Sequence, residues 1–342
     1  MPTDLHFGLI LALTIRGLAV TTYEEMRAVA TRAEALGFDS IWLCDHFLTL
    51  DPGSYIEDAG IARDRAGAAR RPERRSMPLL ECWTALSALA RDTRRLRLGT
   101  SVLCHSYRSP AVLAKMAATL DVISEGRLDL GLGAGWFERE YRAYGIPFPR
   151  IGERIDQLAE GVEIIRRMWT EAEPRFAGRH YAIDGAVCDP PPVQRPHPPI
   201  WIGGEGDRVH RLAARAADGV NVRWWGPERI AARAPYLDAA CREAGRDPAA
   251  LARSVTALLI ADGDAGRAAA VRERFAGIPA EGHIVGSAEA CVARIRAYVA
   301  AGVRHFLFTI PDVASSPGLE EAGRRVLPAV RGIAVAGSPR KG

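Results

Sequence analysis

Residues 96–136 read LRLGTSVLCHSYRSPAVLAKMAATLDVISEGRLDLGLGAGW. They hold one full turn of the pattern that governs this chain. Leu96–Val102 is a short apolar run of strand length, and Pro110–Ile123 has helical character. Arg127–Leu132 is the next strand, running into the glycine-rich GLGAGW. Strand, helix and strand in this order form a unit that makes parallel pairs.

The same alternation extends outward in both directions. Before it come strands at Leu5–Leu13 and Asp39–Cys44, with helices at Tyr23–Leu36 and Leu79–Asp92. Thr22, with Glu25 three residues on, suits a helix N-terminus, and Gly37 suits its end. After it come a helix at Glu153–Trp169, a strand at Pro199–Ile202 and a helix at Asp207–Ala217. A strand at Gly219–Val222, a helix at Pro227–Ala244 and a strand at Ser254–Ala261 follow. The last elements are a helix at Ser287–Ala301, a strand at His305–Ile310 and a helix at Leu319–Val330. Eight strands, each followed by helical sequence, predict an α/β fold, a closed (β/α)8 TIM barrel, as a single domain over 1–342. An open doubly wound sheet would carry G-x-G-x-x-G after its first strand, where this chain has ALTIRG. Two stretches break the rhythm. Residues 50–77 are polar and arginine-rich, and read as a long loop after strand two, a lid over the barrel mouth. Residues 173–199 contain DPPPVQRPHPP and read as irregular.

The chain has 342 residues, 48% of them hydrophobic and 25% charged, with a net charge of +4. That composition supports one large core and excludes a disordered chain. Lysine occurs only at Lys115 and Lys341. The arginines are spread apart from one cluster at Arg70, Arg71, Arg74 and Arg75, so no nucleic-acid partner is expected. The six cysteines are scattered without a C-x-x-C pair and read as free thiols of a cytoplasmic protein. No apolar stretch reaches the ~20 residues of a membrane span, and the N-terminal run passes directly into the fold without signal-peptide features.

A barrel's chemistry stands at the C-terminal ends of its strands. After strand two come Asp45, His46 and Phe47. An imidazole titrates near neutrality and can serve as acid or base, and the aspartate can bond a cofactor or tune the ring. A lone Asp-His pair is equally compatible with a histidine of no special role. After strand three come Ser101, Val102, Cys104, His105 and Tyr107, with His105 read as an ordinary loop residue. After strand four, Gly131–Trp136 lets backbone approach a flat ligand and offers an indole face. Glu138 and Glu140 read as solvent or helix-cap charges. After strand five, Ile202–Gly203–Gly204–Glu205–Gly206 opens a helix, a place where free N–H groups hold phosphate. The neighbouring carboxylates oppose an anion there. Arg223, Trp224 and Trp225 follow strand six and suit either an aromatic pocket or rim packing. Metal chemistry is not expected: strand one has only His6, and no cluster has ligand spacing. A serine-hydrolase elbow is also missing.

Together AEALGFDSIWLCDHF, the block from ECWTALSALA to YGIPF, CDPPPVQRPHPPIWIGGEG and AGVRHFLF resemble the bacterial luciferase-like superfamily. It comprises FMN-dependent monooxygenases and coenzyme F420-dependent oxidoreductases. The resemblance spans nearly the whole chain, is most specific over Leu96–Gly145, and is closest to the F420 branch. It implies that His46, with Asp45 beside it, stands near the reactive carbon of the cofactor. It implies a non-prolyl cis peptide at Ser101–Val102, Gly135 and Trp136 along the ring, and Ile202–Gly206 around the cofactor phosphate. Phe47, Tyr107, Trp136, Trp224 and Trp225 would face the substrate. Some sugar-phosphate dehydrogenases of the branch carry glutamate where Trp136 stands, and grip phosphate with lysines. Trp136 and the scarcity of lysine therefore point to a small, largely apolar organic substrate. The implied activity is F420-dependent hydride transfer by a homodimer. The alternatives are an FMN-dependent two-component monooxygenase and a non-catalytic flavin-binding barrel.

Overall fold

The computed structural model describes residues 5–12, 15–50, 77–315 and 317–331. Eight parallel strands close on themselves: β1 (His6–Ala12), β2 (Ser40–Leu43), β3 (Arg97–Thr100), β4 (Leu128–Gly133), β5 (Ile200–Gly203), β6 (Gly219–Arg223), β7 (Ala252–Ala261) and β8 (His305–Thr309). Closure is made by β8 on β1, with His6 opposite His305 and Leu9 opposite Phe308. The expected TIM barrel is therefore the observed fold.

Side chains alternate along each strand, so every second residue points into the barrel. Large interior rings are accommodated by glycines on neighbouring strands. A Cβ on Gly99 would sit 2.2 Å from the Trp42 indole, and one on Gly219 would sit 2.2 Å from Trp201. Trp42 meets Trp201 edge-on at 6.0 Å, and Trp201 lies 4.5 Å from the His305 ring. The Trp42 N–H donates to Ser40 Oγ at 2.7 Å, so its burial leaves no orphaned donor. These rings fill the interior, and a ligand finds room only beyond the strand ends.

The outer layer is helical: α1 (Tyr23–Ala35), α2 (Cys82–Asp92), α3 (Pro110–Ile123), α4 (Glu138–Ala143), α5 (Ile151–Thr170), α6 (Asp207–Ala216), α7 (Pro227–Glu243), α8 (Ala265–Arg274) and α9 (Ala288–Ala300), with a helical segment over 318–331. In α1 the residues Met26, Val29, Ala30 and Ala33 are buried, spaced to one face. Thr22 Oγ1 accepts from Glu25 N, and Gly37 takes φ +85°, as their residue types suggest.

Four features differ from the sequence reading. Inside the supposedly irregular 173–199, Arg175–Ala177 and Ala182–Asp184 pair as an antiparallel hairpin. Three-residue strands are too short to show a period. His283–Gly286 adds a parallel strand to the end of β7, outside the closed ring. Helix α8 begins at Asp264, whose carboxylate accepts from Arg267 N; only Ala268 of this helix is buried, so it lacks an apolar stripe to read. Glu138–Ala143 forms helix α4 in what reads as a loop. The lid expected over 50–77, including the arginine cluster, falls on 51–76, which lie outside the described residues.

Candidate active site

A cavity of about 380 Å³ opens at the C-terminal ends of β2 to β6. Asp45 and His46 line it, as do Ser101 and Val102, Gly133 to Phe137, the Gly203–Gly206 turn, Asn221, Arg223 and Trp224.

His46 is held by a residue that the sequence reading placed in solvent. Glu140 is 0% exposed, and its Oε2 lies 2.8 Å from His46 Nδ1. The same carboxylate accepts from Phe47 N at 2.7 Å, Leu48 N at 2.9 Å and the Tyr107 hydroxyl at 2.9 Å. Burial by itself would raise the Glu140 pKa. The His46 ring and the two backbone N–H groups outweigh it and hold the carboxyl below its ordinary value. An ionised acceptor at Nδ1 fixes the proton of a neutral His46 there, which leaves Nε2 as an unprotonated base. Trp136 stands edge-on to the imidazole at 5.5 Å. The expectation that Glu140 is a surface or cap charge is corrected; Glu138, two residues earlier, is the exposed one. Nothing local distinguishes them, because α4 is only six residues long.

Asp45 also differs from its simplest reading. Arg108 grips both its oxygens, at 2.7 and 3.0 Å, and Cys104 N donates at 3.1 Å. Arg108 also bonds Glu81, which caps α2. Burial pushes the Asp45 carboxyl up from its ordinary value, against the pull of Arg108 and the Cys104 N–H. Asp45 lines the cavity, and its strongest bonds tie strand two to the loop after strand three. Arg108 was not singled out from sequence, since it lies 63 residues from its partner.

The Ser101–Val102 peptide is cis. Val102 is clasped by glycines: a Cβ on Gly133 would lie 2.6 Å from Val102 Cγ2, and one on Gly203 would lie 2.8 Å from Val102 Cγ1. Gly135, at φ +73°, leaves room for the Tyr141 hydroxyl, which a Cβ would approach to 2.0 Å. The Gly203–Gly206 turn is braced from behind. Gly204 N donates to Asn221 O at 3.2 Å, and His210 Nε2 bonds Gly204 O at 3.1 Å. Arg233 Nε donates to His210 Nδ1, so this histidine is neutral with its proton on Nε2. Burial and Arg233 lower its pKa to about 4. Glu205 and Asp207, which locally oppose an anion, are paired with Arg229 and Arg233.

Tyr107, Trp136 and Trp224 line the cavity with these groups. Three other predicted residues do not. Phe47 stacks on Tyr107 at 4.8 Å, outside the lining. Ile202 is fully buried in the core behind the turn, since it points away from the barrel interior. Trp225 turns outward under the Arg229 guanidinium, 4.0 Å away. His105 is buried, with Nδ1 3.2 Å from Gly133 O. All six cysteines are buried free thiols. Among the described residues no group of three or more His, Cys, Asp or Glu side chains could hold a metal, and no helix is long and apolar enough to cross a membrane.

Comparison with known proteins bears on the family and the fold. An F420-dependent glucose-6-phosphate dehydrogenase of Amycolatopsis mediterranei is 35% identical over 194 residues, 56% of this chain and 50% of that enzyme. The chain thus spans about half the length of that relative. A solved F420-dependent secondary alcohol dehydrogenase, in complex with an F420–acetone adduct, superposes with TM-score 0.77 at 23% identity, covering 96% of this chain and 99% of that one. A type II Baeyer–Villiger monooxygenase from Pseudomonas putida, in complex with FMN, superposes with TM-score 0.70 at 18% identity, covering 95% and 98%. The model of the luciferase-like monooxygenase family matches residues 6–283, and the chain belongs to that family.

Proposed function

We propose that this protein is a coenzyme F420-dependent oxidoreductase acting on a small, largely apolar organic substrate. The observation that carries the reading is the alignment of a buried His46–Glu140 pair with a glycine-walled slot and a braced helix-opening turn. The residues fit such a cofactor. Glycines at 133 and 203 leave one wall as backbone against Val102, where any Cβ would intrude. The Gly203–Gly206 turn opens α6 without a side-chain cap, so the first N–H groups of that helix suit a phosphate. Relatives named as F420-dependent support the same choice.

When bound, the deazaflavin supplies the hydride chemistry, and the protein supplies position and proton handling. Val102, Gly135 and Trp136 would hold the ring, and Gly203–Gly206 the phosphate. His46 Nε2 takes up or returns the proton at the polar atom of the substrate. Glu140 orients the ring through Nδ1 so that Nε2 faces the substrate, and Tyr107 and the N–H groups of Phe47 and Leu48 keep Glu140 in place. The rings of Trp136, Phe137 and Trp224 give the remaining wall an apolar face and exclude water.

Titration with F420 and with FMN, followed by fluorescence, tests the reading. Micromolar F420 binding is expected. Micromolar FMN binding without F420 binding would overturn it in favour of an FMN-dependent monooxygenase.

A further inference from the structure

Strand β6 ends on Arg223, in register with Thr256 of β7. The inward residues of β6 are known by their partners. Gly219 faces the Trp201 indole, and Asn221 bonds Ser254 and Thr256 inside the barrel at 2.9 and 3.2 Å. Arg223 is the next residue on that side, and it joins the lining of the C-terminal cavity. Among the described residues it is the one arginine or lysine there. The two carboxylates of that lining are met from behind, Asp45 by Arg108 at 2.7 Å and Glu205 by Arg229 at 3.4 Å. Neither of those arginines lines the cavity, whereas Leu103, Ala134, Ile155 and Val209 do. A guanidinium stays charged at every accessible pH, and apolar walls strengthen its pull on an anion.

Arg223 is also held in place. Trp224, the next residue, takes φ +62°, a conformation that a bulky side chain adopts only under constraint. Trp224 N donates to Thr256 O at 2.9 Å, and Gly282 packs so closely that a Cβ on it would lie 2.5 Å from Trp224 Cα. The Tyr298 hydroxyl donates to Trp225 O at 2.8 Å. The guanidinium charge is felt across the barrel at the end of β2. Burial pushes the Cys44 thiol up to about 12, and Arg223 is the foremost group that opposes it. Cys44 directly precedes Asp45 and His46.

We infer that Arg223 is a specificity residue that takes a carboxylate, so that the substrate is an acid with an apolar body. Its carboxylate lies on Arg223 and its reacting polar atom at His46. The inference rests on the proposed oxidoreductase reading and deepens it by naming the substrate class. A carboxylate matches the planar fork of a guanidinium with two parallel bonds. One cation balances one negative charge, while a phosphate dianion would leave a second charge against apolar walls.

Isothermal titration calorimetry tests this with isocaproate and its neutral counterpart isocaproamide, on the F420-saturated protein and on the protein without cofactor. The acid is expected to bind about tenfold to a hundredfold tighter than the amide, as a charged hydrogen-bonded pair provides. Arg223→Gln should bring the two within about threefold. Arg223→Lys should retain part of the preference, and Arg296→Gln, exposed on α9, all of it. Equal affinities in the natural protein, or no binding of the acid, would overturn the assignment without recourse to a variant. So would a preference that survives in Arg223→Gln. Tighter binding of isoamyl phosphate than of the acid would overturn the choice of a carboxylate. Fluorescence titration reads F420 separately: its failure to bind overturns the cofactor reading, whereas the acid–amide comparison without cofactor decides the role of Arg223.

Discussion

The two ends of the barrel carry the same residue types and use them differently. At the N-terminal end a cavity of about 1160 Å³, larger than the one at the strand C-termini, is lined by His6, His305, Asp129 and several arginines. Its polar groups are spent on one another. Arg97 holds Asp129 at 2.7 Å, Arg331 holds Asp39 at 2.9 Å, and Arg253 holds Asp238. His6 bonds Ser40, and His305 lies 3.1 Å from Ser254 Oγ and stacks on His6 at 4.2 Å. Burial lowers the pKa of both rings and keeps them neutral. At the C-terminal end Glu140 uses every lone pair to hold His46 and its loop, and leaves Nε2 of the ring at the cavity. Volume alone would pick the N-terminal end; the ion pairs that occupy its polar groups, set against the oriented imidazole at the other end, favour the C-terminal cavity.

The sharpest way to break this contrast is to remove the imidazole at the C-terminal cavity. His46→Ala should lower turnover by about 10²- to 10⁴-fold with cofactor binding retained, read by fluorescence titration beside steady-state assays. Glu140→Gln should lower turnover less and move the acidic limb of the pH–rate profile, because the ring loses the anion that sets its tautomer. An unaltered profile would reduce Glu140 to a structural brace. The equivalent change at the other end, His305→Gln, should leave the profile unmoved.

A smaller effect concerns the turn rather than the base. His210 binds fewer protons in the folded protein than in the unfolded chain between its ordinary value of 6.5 and about 4. Its contribution to stability is therefore complete above pH 6.5 and is lost as pH falls toward 4, amounting to roughly 3 kcal/mol. Denaturant titrations across this range should show a steeper loss in the natural protein than in His210→Gln. Parallel curves would mean that the ring does not brace Gly204.

The smallest change expected belongs to the filled interior. Gly219→Ala drives a methyl against the Trp201 indole and should cost about 1–3 kcal/mol in stability. Turnover per folded molecule should stay the same, since Trp201 lies on the side of the N-terminal cavity. A loss of turnover without a loss of stability would show that the two ends communicate.

The period of strands and helices was readable because burial imposes it residue by residue. The eight strands, Gly37 and Thr22 needed only local rules. The Gly203–Gly206 turn was legible from its glycines before a helix, whereas the Ser101–Val102 geometry was reached through family resemblance, which stands in for contacts that no local rule contains. Glu140 and Arg108 escaped. Each acts on a partner 63 to 94 residues away, and Glu140 sits beside similar charged residues that do nothing comparable. Phe47, Ile202 and Trp225 were misdirected by the opposite limit: standing at the right strand end does not say which way a side chain turns.

By itself the sequence determined that apolar runs alternate at strand and helix spacing, and hence pointed to a parallel barrel. It also determined that a histidine follows strand two and that glycines follow strands four and five. Only the tertiary structure decided that His46 is oriented by a buried carboxylate. Barrel closure and the fold-back of α4 bring a buried carboxylate to its Nδ1, a pairing set by three-dimensional packing rather than by any spacing along the chain.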